Sequence, residues 1–283
     1  MITGISTAYL DYASLPEAFA KAASWGLNLL EFSTGPCLFE ERDSSRAEQP
    51  LLRSSHTTRA DERQEIKRLA QENDMLVAYY PQAHFAELPR SKGRLLLLDF
   101  LGQARQMKAS YLILNLGRSP DEKIGLARMI DLFRWASRRP EAKDIKICIK
   151  NLPGKRDGEL GSKLEHLRDF FAGLRSASVG LNLDFGHANL AIGSDSLLDE
   201  FAERISYTHF HDNFGKEDQH LPVGLGNIYW RPIYQKLAAL NFAGPYVIEF
   251  PARYGLEGFL EELRLHISKG GPKIPCNRQR DTL

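Results

Sequence analysis

Cysteine is scarce in this chain. Cys37, Cys148 and Cys276 are the only 3 in 283 residues, and they are odd in number and far apart. No CxxC occurs, so neither a disulfide framework nor a thiolate zinc site is expected. Charge of one sign is also lacking: 37 basic against 36 acidic residues leave +1. A partner bound through its phosphate backbone needs a concentrated basic field, so no nucleic-acid partner is expected. Long apolar runs are missing, and nothing approaches the ~18 residues of a membrane helix, so no membrane partner is expected either. The opening residues MITGISTAYLDY show neither a basic leader nor a long apolar core. No signal peptide is read there, and a reducing cytoplasm is the expected compartment.

What is present is 43% hydrophobic and 26% charged residues, with no Pro/Ser-rich stretch that would cut the chain in two. Chains of about 250 residues can fold as one α/β barrel, and at that size roughly three quarters of the unfolded surface is buried. Short, almost continuously apolar runs recur at 2–6, 28–33, 75–80, 111–116, 145–150, 179–184, 205–211 and 245–250. Amphipathic helical patterns follow at 58–73, 92–107, 121–137, 162–174, 229–240 and 256–267. Apolar strands alternating with helices fit a parallel sheet covered by helices. Eight such alternations predict a single-domain (β/α)8 TIM barrel over 1–267, with a flexible tail at 268–283. A doubly wound open sheet would show a Gly-rich phosphate turn after the first strand, and ITGISTAYLDY has none. The irregular segment 35–57 reads either as a substrate cover or as a surface insertion. Cys148, in the apolar run IKICI, reads as a small core residue.

In a barrel the last side chains of each strand meet at one mouth. The sixth strand ends in LDFGHANL with Asp184 and His187, the seventh in THFHDN with His209, His211 and Asp212, and the eighth in VIEF with Glu249. A hard divalent cation wants carboxylates and imidazoles converging from separate rigid elements. Singly, such residues are more often helix caps, surface ion pairs or ordinary core histidines. On three successive strand ends they point to a site.

LDFGHANL followed by HFHDNFGKEDQHLPVGLGNIYW resembles the xylose-isomerase-like TIM barrels. That group of sugar and sugar-phosphate isomerases and epimerases also includes the zinc AP endonucleases. The resemblance implies a divalent metal (Mn, Mg or Zn) held by Asp184, His209 and Glu249, with Glu249 also a catalytic base. It makes His187, His211, His220 and Asn151 substrate contacts, His187 doubling as a candidate second-metal ligand. It implies a small sugar or hydroxy-carbonyl substrate and, since relatives often pair, a homodimer. KEDQHLPVGLGNI, with Asp218 and His220, resembles a glycine-rich turn that closes over substrate.

Three positions depart from the family pattern. Strand five reads I-K-N-L-P-G, placing Lys150 where the family has a ligand glutamate. Asn115-Leu116-Gly117 replaces H-P-G, and Tyr79-Tyr80-Pro81 replaces H-x-P, with His84 nearby. An ammonium cannot ligate a metal and repels one. Lys150 therefore admits three readings: a substitute cation bonding Asp184 and Glu249, a catalytic amine, or an anion-binding residue outside the metal shell. A metal-free variant working by amine chemistry, or a sugar-binding regulatory barrel, is the alternative to a metal-assisted isomerase. AP-endonuclease chemistry ranks lower, with D-x-H at Asp218 and His220 in its favour.

Overall fold

Short, almost continuously apolar runs build the sheet. In the computed structural model, which describes residues 1–34, 59–174 and 176–267, the strands are β1 Ile2–Ser6, β2 Leu29–Thr34, β3 Leu76–Pro81 and β4 Tyr111–Leu114. They continue as β5 Lys146–Lys150, β6 Val179–Asp184, β7 Ile205–Phe210 and β8 Pro245–Ile248. Each pairs in parallel with the next, and β1 closes on β8 from Ile2↔Pro245 to Ile5↔Ile248. The fold is a closed (β/α)8 TIM barrel. The segment 35–57 and the tail 268–283 lie outside the described residues.

The surrounding helices are α1 Leu15–Ser24, α2 Ala60–Glu72, α3 Arg90–Gln106, α4 Glu122–Ala136 and α5 Leu164–Leu174. After β6 come two short ones, α6 Phe185–Leu190 and α7 Ser194–Phe201, then α8 Trp230–Ala239 and α9 Glu257–Ile267. The six helical patterns expected from periodicity fall within two residues of these bounds. α1, α6 and α7 had no such expectation. α1 starts at a Ser14 cap with proline in its first turn and buries Ala18, Phe19 and Ala22 on one face. Among the described residues no helix is long and apolar enough to cross a membrane.

Outside the sheet, apolar helix faces form one core, in which Phe85, Phe100, Phe133 and Phe170 meet edge to face. Inside the barrel, Leu29, Ala78, Tyr80, Ile113, Cys148, Tyr207 and Val247 form a second cluster. Strand side chains repeat every two residues. The residues two positions further along, Glu31 above Leu29, Lys150 above Cys148, His209 above Tyr207 and Glu249 above Val247, thus share the inward direction at the mouth. The apolar plug is the floor of the polar layer.

Candidate active site

Lys150 ends β5 and is 3% exposed. Its Nζ stands 2.8 Å from Asp184 Oδ2 and 2.8 Å from Glu249 Oε2, donating a hydrogen bond to Glu249 and lying 5.0 Å over the Tyr80 ring. Burial alone would push its pKa down. The two carboxylates outweigh burial and hold the ammonium well above the ordinary lysine range. Asp184 likewise stays far below the usual carboxylate range despite burial, because His187, Lys150 and His211 surround it. Glu249 is lowered against burial by His209 and Lys150. Among the three arrangements open to Lys150, these distances correspond to the bridging cation.

Beside it, His209 Nε2 meets Glu31 Oε2 at 2.8 Å, while its Nδ1 lies 3.1 Å from Asn182 Nδ2 and 3.3 Å from Glu249 Oε2. Burial opposes charge on this ring, but Glu249 and Glu31 raise its pKa to about 9. Glu31 is fully buried on β2 and was not singled out in the sequence. The signal was a carboxylate inside the apolar run NLLEFS, where a strand buried on both faces has no solvated side for it.

One layer above, four residues converge. His187 lies at the start of α6, where Asp184 Oδ1 accepts the His187 N–H at 2.8 Å and so caps the helix. The same Oδ1 meets His211 Nε2 at 2.9 Å. His187 Nε2 is 3.1 Å and His220 Nε2 3.4 Å from Asp218 Oδ2; His211 Nδ1 is 3.8 Å from Asp218 Oδ1. The His211 and His220 rings stack with centroids 3.7 Å apart, and the Tyr9 hydroxyl meets His220 Nε2 at 3.2 Å. His211 needs a neighbour without a side chain, since a Cβ on Gly186 would come 2.0 Å from its Cε1. Asn151 is fully buried, and its amide is taken up by the backbone of Asp184, accepting from the N–H at 2.7 Å and donating to the carbonyl at 3.0 Å.

A divalent ion at the strand ends does not fit this arrangement. Donor atoms of Asp184, His211 and Glu249, and of Glu31, His209 and Glu249, lie within 4.8 Å of one another. The Lys150 ammonium nevertheless stands 2.8 Å from both Asp184 and Glu249, where an ion held by those carboxylates would lie. The upper group of His187, His211, Asp218 and His220 does fit. Nδ1 of His187 faces the Asn151 carbonyl at 2.9 Å, Nδ1 of His220 the Glu249 carbonyl at 2.5 Å and Nε2 of His211 the Asp184 carboxylate. Each of those nitrogens must donate, which turns the other toward Asp218, the pattern of metal-bound imidazoles held by carbonyls and carboxylates behind them. Each of the four residues offers one donor atom within 4.8 Å of the other three, as convergent ligands of one ion require. His211 Nδ1 and Asp218 Oδ1 are buried without a hydrogen-bond partner. Burial and His220 lower the His211 pKa, whereas Asp184 and Asp218 raise that of His187 against burial.

Barrel and mouth together define a protein class. The xylose isomerase-like TIM barrel profile matches residues 19–269, and the chain belongs to that family. Protein MJ1311 of Methanocaldococcus jannaschii is 36% identical over 112 residues, covering 37% of this chain and 36% of that one. This chain thus matches about a third of that relative's length. Among solved structures, a D-tagatose 3-epimerase-like protein superposes with TM-score 0.72 at 20% identity, covering 94% of this chain and 99% of its own. An AP endonuclease of family 2 from Brucella melitensis gives TM-score 0.72 at 14% identity, with 92% and 98% covered. At such identities the likeness is one of fold.

Proposed function

We propose that this chain is an isomerase or epimerase acting on a small hydroxy-carbonyl sugar, with the Lys150 ammonium in place of a metal at the strand ends. The observation that carries this reading is Nζ at 2.8 Å from both Asp184 and Glu249, a buried cation beside a carboxylate. The sugar 3-epimerase name of a structural neighbour supports the substrate class. A substrate carbonyl oxygen reaching the ammonium takes a hydrogen bond from it, which loosens the hold on Glu249. Glu249 then removes the proton on the adjacent carbon. The C–H electron pair moves toward the carbonyl, giving an enediolate whose charge the ammonium faces. The hydroxyl proton on the deprotonated carbon's oxygen passes to the former carbonyl oxygen, and Glu249 gives its proton to the former carbonyl carbon, so that the carbonyl moves by one carbon and Glu249 is restored. His209, charged and braced by Glu31, keeps Glu249 in place. His187, His211, Asp218 and, in exchange for Tyr9, His220 would hold a divalent ion, zinc or manganese. When bound it would supply Lewis acidity toward a second substrate oxygen.

The test pairs metal analysis with turnover. Wild-type protein offered zinc and manganese takes up no more than one equivalent, lost in Asp218→Asn, while Lys150→Glu gains a further equivalent. In a sugar screen, Glu249→Gln lowers turnover by ~10²-fold or more, as expected for a general base. Unchanged turnover in Glu249→Gln would overturn the assignment. Sugar binding with no turnover in wild type would favour a binding barrel. Phosphodiester hydrolysis is the second reading, favoured by the Asp218-x-His220 cluster, and it would appear as cleavage of an abasic-site oligonucleotide.

A further inference from the structure

Directly after His209 and His211 comes Asp212, fully buried and outside the chemistry above. Its carboxylate collects four N–H donors. Oδ1 accepts from the backbone of Asn213 at 2.8 Å and Ile228 at 3.2 Å; Oδ2 accepts from the backbone of Gly224 at 2.9 Å and from Trp230 Nε1 at 2.7 Å. Its backbone pairs in both directions with Leu221, at 2.8 and 2.9 Å. One side chain thereby gathers both ends and the middle of the segment 213–230, which carries Asp218 and His220 over the mouth. Hydrogen bonds to an ionised acceptor are roughly twice as strong as neutral ones. The close approach is built into the sequence, since a Cβ on Gly226 would come 2.2 Å from Asp212 Oδ1. Trp230 is itself fixed, its ring stacked 5.4 Å from Phe210.

We propose that Asp212 is a positioning residue that welds segment 213–230 into a standing roof, so that Asp218 and His220 are preassembled against His187 and His211 rather than delivered by a closing lid. The cluster's role as a metal site rests on the function proposed above; the weld does not. In Asp212→Asn one acceptor oxygen becomes an NH2 group facing donors, so the loop loses its centre while no group facing substrate changes.

The experiment is hydrogen–deuterium exchange of full-length protein without added metal, alongside a cobalt(II) titration read by its visible absorption. Asp212→Asn should speed exchange in peptides covering 213–230 by at least ~10-fold, with β1 to β4 unchanged, a hydrogen bond to a charged group being worth that much protection. Cobalt affinity should fall ~10-fold or more at unchanged stoichiometry, as for other groups that orient metal ligands. Trp230→Phe, which removes one donor of four, should give a smaller increase confined to the same peptides, and it decides the matter if Asp212→Asn does not fold. Wild-type exchange in the loop of either variant overturns the proposal, and so does acceleration spread evenly over the barrel. If wild type takes no cobalt, the metal reading fails while exchange still decides the role of Asp212.

Discussion

Replacing Lys150 with methionine keeps most of the unbranched stem and removes the charge. Asp184 and Glu249 would then face one another across the gap that Nζ fills at 2.8 Å from each, with Glu31 close behind His209. Deleting one partner of a buried ion pair typically costs 3–5 kcal/mol. Here both carboxylates retain imidazole partners, His211 for Asp184 and His209 for Glu249, so the lower end applies, about 3 kcal/mol near pH 7.5. The pH dependence carries the sign. In wild type both carboxyls are depressed, so their contribution is present above the unfolded carboxylate pKa of ~4 and lost only as pH falls through their folded values. Without the ammonium, burial and mutual repulsion push at least one carboxyl above ~4. The folded variant then binds protons more readily than its unfolded chain, and its deficit narrows as pH falls toward ~5. Urea unfolding of both proteins at pH 5.5 and 7.5, followed by tryptophan fluorescence, measures this. A deficit below about 1 kcal/mol, or one equal at the two pH values, would refute a buried cation joining two carboxylates.

Two further outcomes are expected. His209, raised from 6.5 to about 9, contributes stability that is complete below pH ~6.5 and lost as pH rises through 9, on the order of 3 kcal/mol in all; thermal or urea unfolding of His209→Gln should lack this alkaline slope. Cys148, fully buried with its thiol pushed up to about 12 by burial, should resist iodoacetamide in the folded protein and react once unfolded, as read by peptide mass mapping.

The barrel was legible because its signals are local. Eight apolar runs with amphipathic intervals define the order of elements; α6 and α7, of 6 and 8 residues, are too short to show a period, and the ten-residue α1 went unread as well. Asp184, His209 and Glu249 were legible as strand-end residues of one mouth. Their partners were not. Glu31 meets His209 from 178 positions away in sequence, and Tyr9 meets His220 from 211 positions away. Closure of the barrel, β1 on β8, brings those residues together, and no spacing along the chain encodes them. Lys150 was visible as a departure, but its choice between two carboxylates and an anionic ligand depends on side-chain reach. Asn151 is a further case. The resemblance makes it a substrate contact, and its amide also bonds the backbone of Asp184 on the adjoining strand, which no spacing foretold.

Where the imidazole of His211 sits is the space that a side chain at position 186 would fill. The two positions therefore share one volume, and neither can be altered independently. A gain of a methyl at 186 has to be matched by a loss at 211, and with it the bond that holds one oxygen of Asp184. Across a set of homologous sequences this predicts a correlated pair 25 residues apart. A bulky residue at 186 would mark members in which no imidazole reaches the sixth strand and whose chemistry at that corner of the mouth has changed.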